Sequence, residues 1–212
     1  MRRFLLQSFL YSSFFLLLVS CKSYQLKDVI SVSNTEKTVE NLYFSSKEDY
    51  VYKCQMDIYK NHISGILIIK KISDTTHRVV MSSDFGNKMI DFEISENDFK
   101  LNYVLADLDK KMVINFLKND FQELLRQKYP VAESFEDEKF TIFKSELDKK
   151  KYYLSFNKEN SLLTKIVYTK KNNKEKINFS FEAKKPTFAE MINLEHKDFK
   201  INIKLFQITE TE

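Results

Sequence analysis

From Tyr50 to Leu205 apolar residues recur at a spacing of two, stretch after stretch, with one interruption, and this alternation confines the chain to a mainly β fold. Tyr50, Tyr52, Cys54, Met56 and Ile58 share one face of an extended segment, while Lys53, Gln55 and Asp57 occupy the other. That is the pattern of a half-buried strand. After a turn at Lys60-Asn61-His62, the segment Ile63 to Ile72 places Gly65, Leu67 and Ile69 on one face and Ile66 and Ile68 on the other, which predicts burial on both sides. Arg78 to Ser83, Lys88 to Ile94 and Phe99 to Leu105 read as three further strands. The links between them are short and polar, so the neighbours are antiparallel; parallel pairs need long crossovers.

The interruption runs from Lys110 to Lys128, where Val113, Phe116, Leu117, Phe121, Leu124 and Leu125 recur at three- and four-residue spacing and Lys118, Asn119, Glu123 and Arg126 face out. This predicts an amphipathic helix of about 19 residues, near 28 Å long, capped by Asp107 or Asp109 and stopped before Pro130. Strands resume at Lys139 to Glu146, Lys151 to Asn157, Leu162 to Thr169 and Lys176 to Ala183, and Phe199 to Leu205 closes the pattern. A short helix or irregular arm is expected around Val29 to Phe44 and a short helical turn at Phe188 to Leu194, and Pro130 to Lys139 reads as an insertion between two halves of one sheet. With no repeat and no internal boundary, residues 48–208 form one domain, preceded by a polar tether and arm over 21–47.

Ahead of that arm, Met1-Arg2-Arg3 opens an uncharged apolar run from Phe4 to Val19, the layout of a signal peptide over residues 1–20. The run is shorter than the roughly 20 apolar residues a spanning helix needs. Leu18-Val19-Ser20-Cys21 resembles the lipobox of bacterial lipoproteins, which implies that Cys21 becomes the mature N-terminus and carries acyl chains such as palmitate. The alternative is an ordinary cleaved signal peptide with a chance cysteine at its end. Two or more acyl chains hold a protein stably on a membrane, whereas one holds it marginally. The membrane is thus the first expected partner.

Without residues 1–20, which include Arg2 and Arg3, the 34 basic residues become 32 against 30 acidic ones, a net charge of +2. Such balance, with lysines scattered along the chain, gives nucleic acid no clustered basic face. A hydrophobic share of 43% is enough for a real core. Cys54, the one other cysteine, reads as a small buried apolar residue on a strand.

No catalytic or metal-binding set emerges. His62, His77 and His196 stand at no ligand spacing, and Glu195-His196-Lys197-Asp198 reads as a surface loop. Gly65 and Gly86 are too few for a nucleophile elbow or a phosphate cradle. Ser155-Phe156-Asn157-Lys158 matches S-x-x-K only by letters, since its serine ends a strand. The expectation is a protein that is not an enzyme and has neither cofactor nor metal.

A lipobox, a polar arm, a strand meander, one amphipathic helix and a further run of strands resemble the LolA/LolB superfamily of lipoprotein carriers. Ile63-Ser64-Gly65-Ile66-Leu67-Ile68-Ile69-Lys70, with Arg78 and Asp84-Phe85-Gly86, is similar to the early strands of LolB-like Bacteroidetes outer-membrane lipoproteins, and Tyr103-Val104 through Leu117 to Phe121 fits the strand-to-helix passage. The resemblance implies a strongly curved antiparallel half-barrel of about nine to eleven strands, with one long amphipathic helix and short helices lidding the concave face. It further implies a lipid-anchored protein of the cell envelope, on the periplasmic face of the outer membrane, that holds an acyl chain or a lipidated protein. The expected cavity wall is Tyr52, Met56, Ile58, Leu67, Ile69, Met81, Phe92, Phe179 and Phe181. The alternative is a lipid-anchored interaction or assembly protein whose sheet is fully packed and holds no ligand.

Overall fold

Antiparallel pairing unites the described chain, residues 23–147 and 149–208 of a computed structural model, in one sheet of fourteen strands. Two short strands, β1 (Ile30–Val32) and β2 (Thr38–Glu40), precede β3 (Tyr50–Ile58), β4 (Asn61–Lys71), β5 (His77–Ser82), β6 (Lys88–Ile94) and β7 (Phe99–Val104). A 3-10 turn at Ala106–Leu108 leads into the helix α1 (Lys111–Leu124). There follow β8 (Lys128–Glu136), β9 (Phe140–Leu147), β10 (Lys150–Asn157), β11 (Leu163–Lys170), β12 (Glu175–Lys185), β13 (Phe188–His196) and β14 (Ile201–Gln207).

Across the sheet the order is β1-β8-β9-β10-β11-β12-β13-β14-β3-β4-β5-β6-β7, with β2 also on β8. The last strand therefore lies beside the first long one, with Ile201 opposite Ile58 and Leu205 opposite Cys54. The sheet does not close: β7 ends it on one side and β1 on the other.

Alternation delivers the inner face as expected along β3, where Tyr50, Tyr52, Cys54, Met56 and Ile58 are all buried. Cys54 is a free thiol, and burial pushes its pKa up to about 12. On β4 only one face is fully buried, since Ile66 and Ile68 are half-exposed on the outside. Gly65 marks a close approach, for a Cβ built there would stand 2.0 Å from the carbonyl oxygen of Ser82.

Four expectations are corrected. The sheet has fourteen strands rather than nine to eleven, partly because β1 and β2 span three residues each, too few to show a period. The Pro130 segment is a strand, not an insertion; the β8–β9 ladder begins at Val131, so the missing proline N–H interrupts nothing there. Phe188 to Leu194 belongs to β13 rather than to a helical turn, and register shifts against β12 break its alternation in the sequence. The helix is 14 residues long, ends at Leu124, and has Lys110 at its N-cap with no side-chain cap hydrogen bond, so neither Asp107 nor Asp109 caps it.

The arm before β3 wraps the edge of the sheet. Tyr24, Leu26 and Val29 lie with Ile142, Tyr153 and Val167 on the outer face, with the Tyr24 and Tyr153 rings 4.8 Å apart. The chain then pairs with β8 through β1 and β2, and residues 41–44 arrive on the inner face. Extended backbone pairing, not a helix, carries it over that edge.

A candidate apolar interior beneath the helix and arm

The nine side chains expected to wall a cavity come together. Tyr52, Met56, Ile58, Leu67, Ile69, Met81, Phe92, Phe179 and Phe181 all belong to one buried cluster, none more than 5% exposed. Two covers lie on them. From α1, the Phe121 ring meets Phe92 edge-on at 5.4 Å, and Val113, Leu117 and Leu124 are buried beside it. From the arm, the Tyr43 ring packs 5.0 Å from Phe181 and the Phe44 ring 6.2 Å from Tyr52.

The arm is seated by polar contacts at each step. The Asn41 side chain donates to the Leu124 carbonyl at the end of α1 (3.1 Å) and accepts from the Tyr43 N–H (3.1 Å). The Tyr43 hydroxyl donates to the Leu163 carbonyl on β11 at 2.7 Å. His77 Nε2 on β5 donates to the Phe44 carbonyl at 2.9 Å, and Phe44 holds a left-handed φ of 65°. A non-glycine residue keeps that conformation only where its surroundings enforce it. Burial lowers the His77 pKa below its usual value, so the ring is favoured as a neutral donor.

Polar groups that the apolar periodicity concealed lie at the underside and end of α1. Asp120 is buried, and both its carboxylate oxygens stand 2.9 Å from His196 Nε2. The tetrapeptide containing His196 is therefore not simply a surface loop: His196 ends β13 with its side chain 7% exposed, beside the rings of Phe116 and Phe199. Burial raises the Asp120 pKa, and the histidine opposes that shift. Glu123, expected to face out, is also buried; it binds Lys150 Nζ at 2.6 Å and accepts from the Tyr152 hydroxyl at 2.8 Å. The signal was present in the sequence, since Asp120 adjoins Phe121 and lies three residues past Leu117 on the apolar stripe.

Where the end of α1 meets the β6–β7 loop, a cleft of about 390 Å³ opens to solvent. Phe121, Leu125, Ile94 and His77 lie in its wall, and Glu96, Gln122, Arg126 and Lys128 add polar groups. None of the nine expected wall residues lines it. Among the described residues no group of three His, Cys, Asp or Glu side chains is arranged to hold a metal ion. Cys21 lies outside the described residues.

No protein-family model matches the sequence, and no curated protein does so. Solved structures do resemble it in part. A LolA superfamily protein from Nitrosomonas europaea superposes with a TM-score of 0.53 at 7% identity, over 81% of this chain and 90% of that one. An outer membrane lipoprotein-sorting protein domain from Vibrio parahaemolyticus gives 0.48 at 7% identity, over 76% and 83%. A DUF1329 family protein from Desulfovibrio piger gives 0.40 at 9% identity, over 79% and 88%. The first shows that an open antiparallel sheet with one helix, arranged as here, is a LolA-like fold.

Proposed function

We propose, from a fold like that of a LolA superfamily protein, that this chain is a lipid-anchored envelope protein that receives an acyl chain or a lipidated protein in the apolar interior of its sheet. The observation that carries the reading is that the nine wall residues converge beneath α1 and residues 41–44 rather than beneath a second sheet. The arm and a ligand are matched in magnitude, so exchange of one for the other is within reach. Burying Tyr43 and Phe44 is worth about 1.5–3 kcal/mol each, and their hydrogen bonds add about 1 kcal/mol apiece. An enclosed acyl chain of about 16 carbons offers on the order of 10 kcal/mol gross, before the cost of ordering it. No polar chemistry is required, and no catalytic step. Anchoring through Cys21 on the periplasmic face of the outer membrane, in the service of lipid or lipoprotein trafficking, completes the proposal.

The test is mass spectrometry of organic extracts from the purified protein, paired with uptake of a fluorescent fatty acid. A lipid present in the native sample and absent after delipidation, with saturable uptake, is the expected result. Identical extracts and no uptake would sink the carrier reading. One observation favours a second reading, an interaction or assembly protein with a packed sheet: Tyr43 and Phe44 already sit on the wall, leaving all nine residues buried. Under it the same extracts are empty, and cross-linking in the envelope captures a protein neighbour.

A further inference from the structure

We propose that one rim of the sheet is a bilayer-docking surface, whose exposed aromatic side chains enter the interface of a membrane with anionic headgroups. In an antiparallel meander successive turns alternate between the two ends of the strands. The β11–β12, β13–β14, β3–β4 and β5–β6 turns therefore share one rim with the end of β7, and the Ile201–Ile58 pairing aligns the two halves. All four exposed aromatic residues among the described residues are on it: Tyr59 at 45%, Phe85 at 93%, Tyr103 at 41% and Phe199 at 45%. The opposite rim exposes Ile30, Ile72 and Ile208 but no aromatic residue. The tyrosine rings, apolar with a wettable hydroxyl, favour the membrane interface, and the phenylalanine rings add apolar area that such an interface can bury.

These rings are presented by ordered turns. Around Phe85, Ser83 N–H donates to the Asn87 carbonyl and Gly86 N–H to the Ser83 carbonyl, each at 2.9 Å, and Gly86 takes a φ of +83° that suits glycine. Tyr59 N–H donates to the Lys200 carbonyl at 2.7 Å, which joins the Tyr59 turn to the turn bearing Phe199.

The N-terminal chain leaves from the same rim. Tyr24 N–H donates to the carbonyl of Asn173, in the β11–β12 turn, at 2.8 Å. Cys21 is three residues earlier, and three residues reach at most about 10 Å when extended. A lipid on Cys21 would thus hold this rim, not the other, against the membrane. Charge agrees: Lys60, Lys111 and Lys200 are exposed with no ion-pair partner among the described residues, while the rim carboxylates of Asp84 and Asp198 are paired with lysines. Asp107 and Asp109 also lie at this end. Unpaired lysines near a surface favour anionic lipid.

The orientation rests on the anchor of the proposed function, whereas the occupancy of the sheet interior does not enter it. The test uses the full protein purified from membranes and reconstituted in vesicles of phosphatidylethanolamine and phosphatidylglycerol doped with a nitroxide-bearing phospholipid. An environment-sensitive fluorophore is placed at Phe85→Cys, Phe199→Cys or Ile72→Cys in turn; Cys54 is buried and stays unlabelled. Labels at 85 and 199 are expected to shift to the blue and to be quenched by the nitroxide lipid, with little change at 72. Equal quenching at all three sites, no quenching at 85 and 199, or a blue shift without vesicles, which would mark contact with another protein or a second copy, each overturns the proposal. Failure of the anchor is read separately, from membrane retention of the Cys21→Ser chain.

Discussion

Gly65 fills a place in the sheet that a larger residue can take only if the neighbouring backbone shifts. Because an added Cβ would meet backbone oxygen rather than a movable side chain, Gly65→Ala is expected to cost about 1–3 kcal/mol. Urea unfolding would show this as a lowered midpoint with an unchanged slope. Asp91 presents the opposite situation, a carboxylate held by its neighbours. Arg78 grips it with two bonds, Nε to Oδ1 at 3.0 Å and Nη2 to Oδ2 at 2.7 Å, and Asn102 and Lys88 add weaker ones. These contacts, Arg78 foremost, bring its pKa down from 3.8 to about 2. A folded-state pKa below the unfolded one adds stability above the unfolded value, and that stability is lost as pH falls. The acid-unfolding profile should therefore steepen between 3.8 and about 2, and Asp91→Asn should flatten that interval. An unchanged slope in the variant would refute the assignment. Lys88 lies on Asp91's own strand, but its other partners, Arg78 on β5 and Asn102 on β7, are known only once the register is.

At the scale of elements, the arm and α1 carry what is distinctive. Removing the arm's two rings with Tyr43→Ala and Phe44→Ala should lower stability, by about 3–5 kcal/mol for the Phe44 change. If the interior accepts lipid, the same variants should take up more fluorescent fatty acid than the parent. A loss of stability with no gain in uptake would favour the packed, ligand-free reading. The helix offers a cleaner perturbation, since its N-cap Lys110 makes no capping bond. Lys110→Asp should add about 1 kcal/mol, as a carboxylate satisfies free N–H groups and suits the positive end of the helix dipole. Thermal unfolding would register it. Ten strands and the helix were legible as elements because each is long enough to repeat its period. β1, β2, β8 and β13 were not: two are three residues long, one contains Pro130, and one is broken by bulges. In each case pairing with a neighbouring strand, which no local window contains, decided the conformation.

For the whole molecule, the anchor is the claim with the most direct test. Cys21→Ser is expected to move the protein out of the membrane fraction, and retention there would leave the chain without a lipid tether. The alternation of Tyr50 to Ile58, the short polar links and the helical interruption are local properties of the chain, and from them alone follow an antiparallel sheet, one covering helix and the identity of the buried face. Local periodicity works here because a side chain's face is set by its position along its own strand. Tertiary structure alone decided the rest: that β14 closes against β3, that the arm turns the β8 edge to seat Tyr43 and Phe44 on the expected wall, and that Asp120 finds His196 and Glu123 finds Lys150 and Tyr152. Those pairings join residues up to 155 positions apart, as between Cys54 and Leu205 at 151 or Tyr52 and Gln207 at 155. Their partners are chosen by which apolar faces can be buried together at once, a condition on the folded molecule and not on any segment of it.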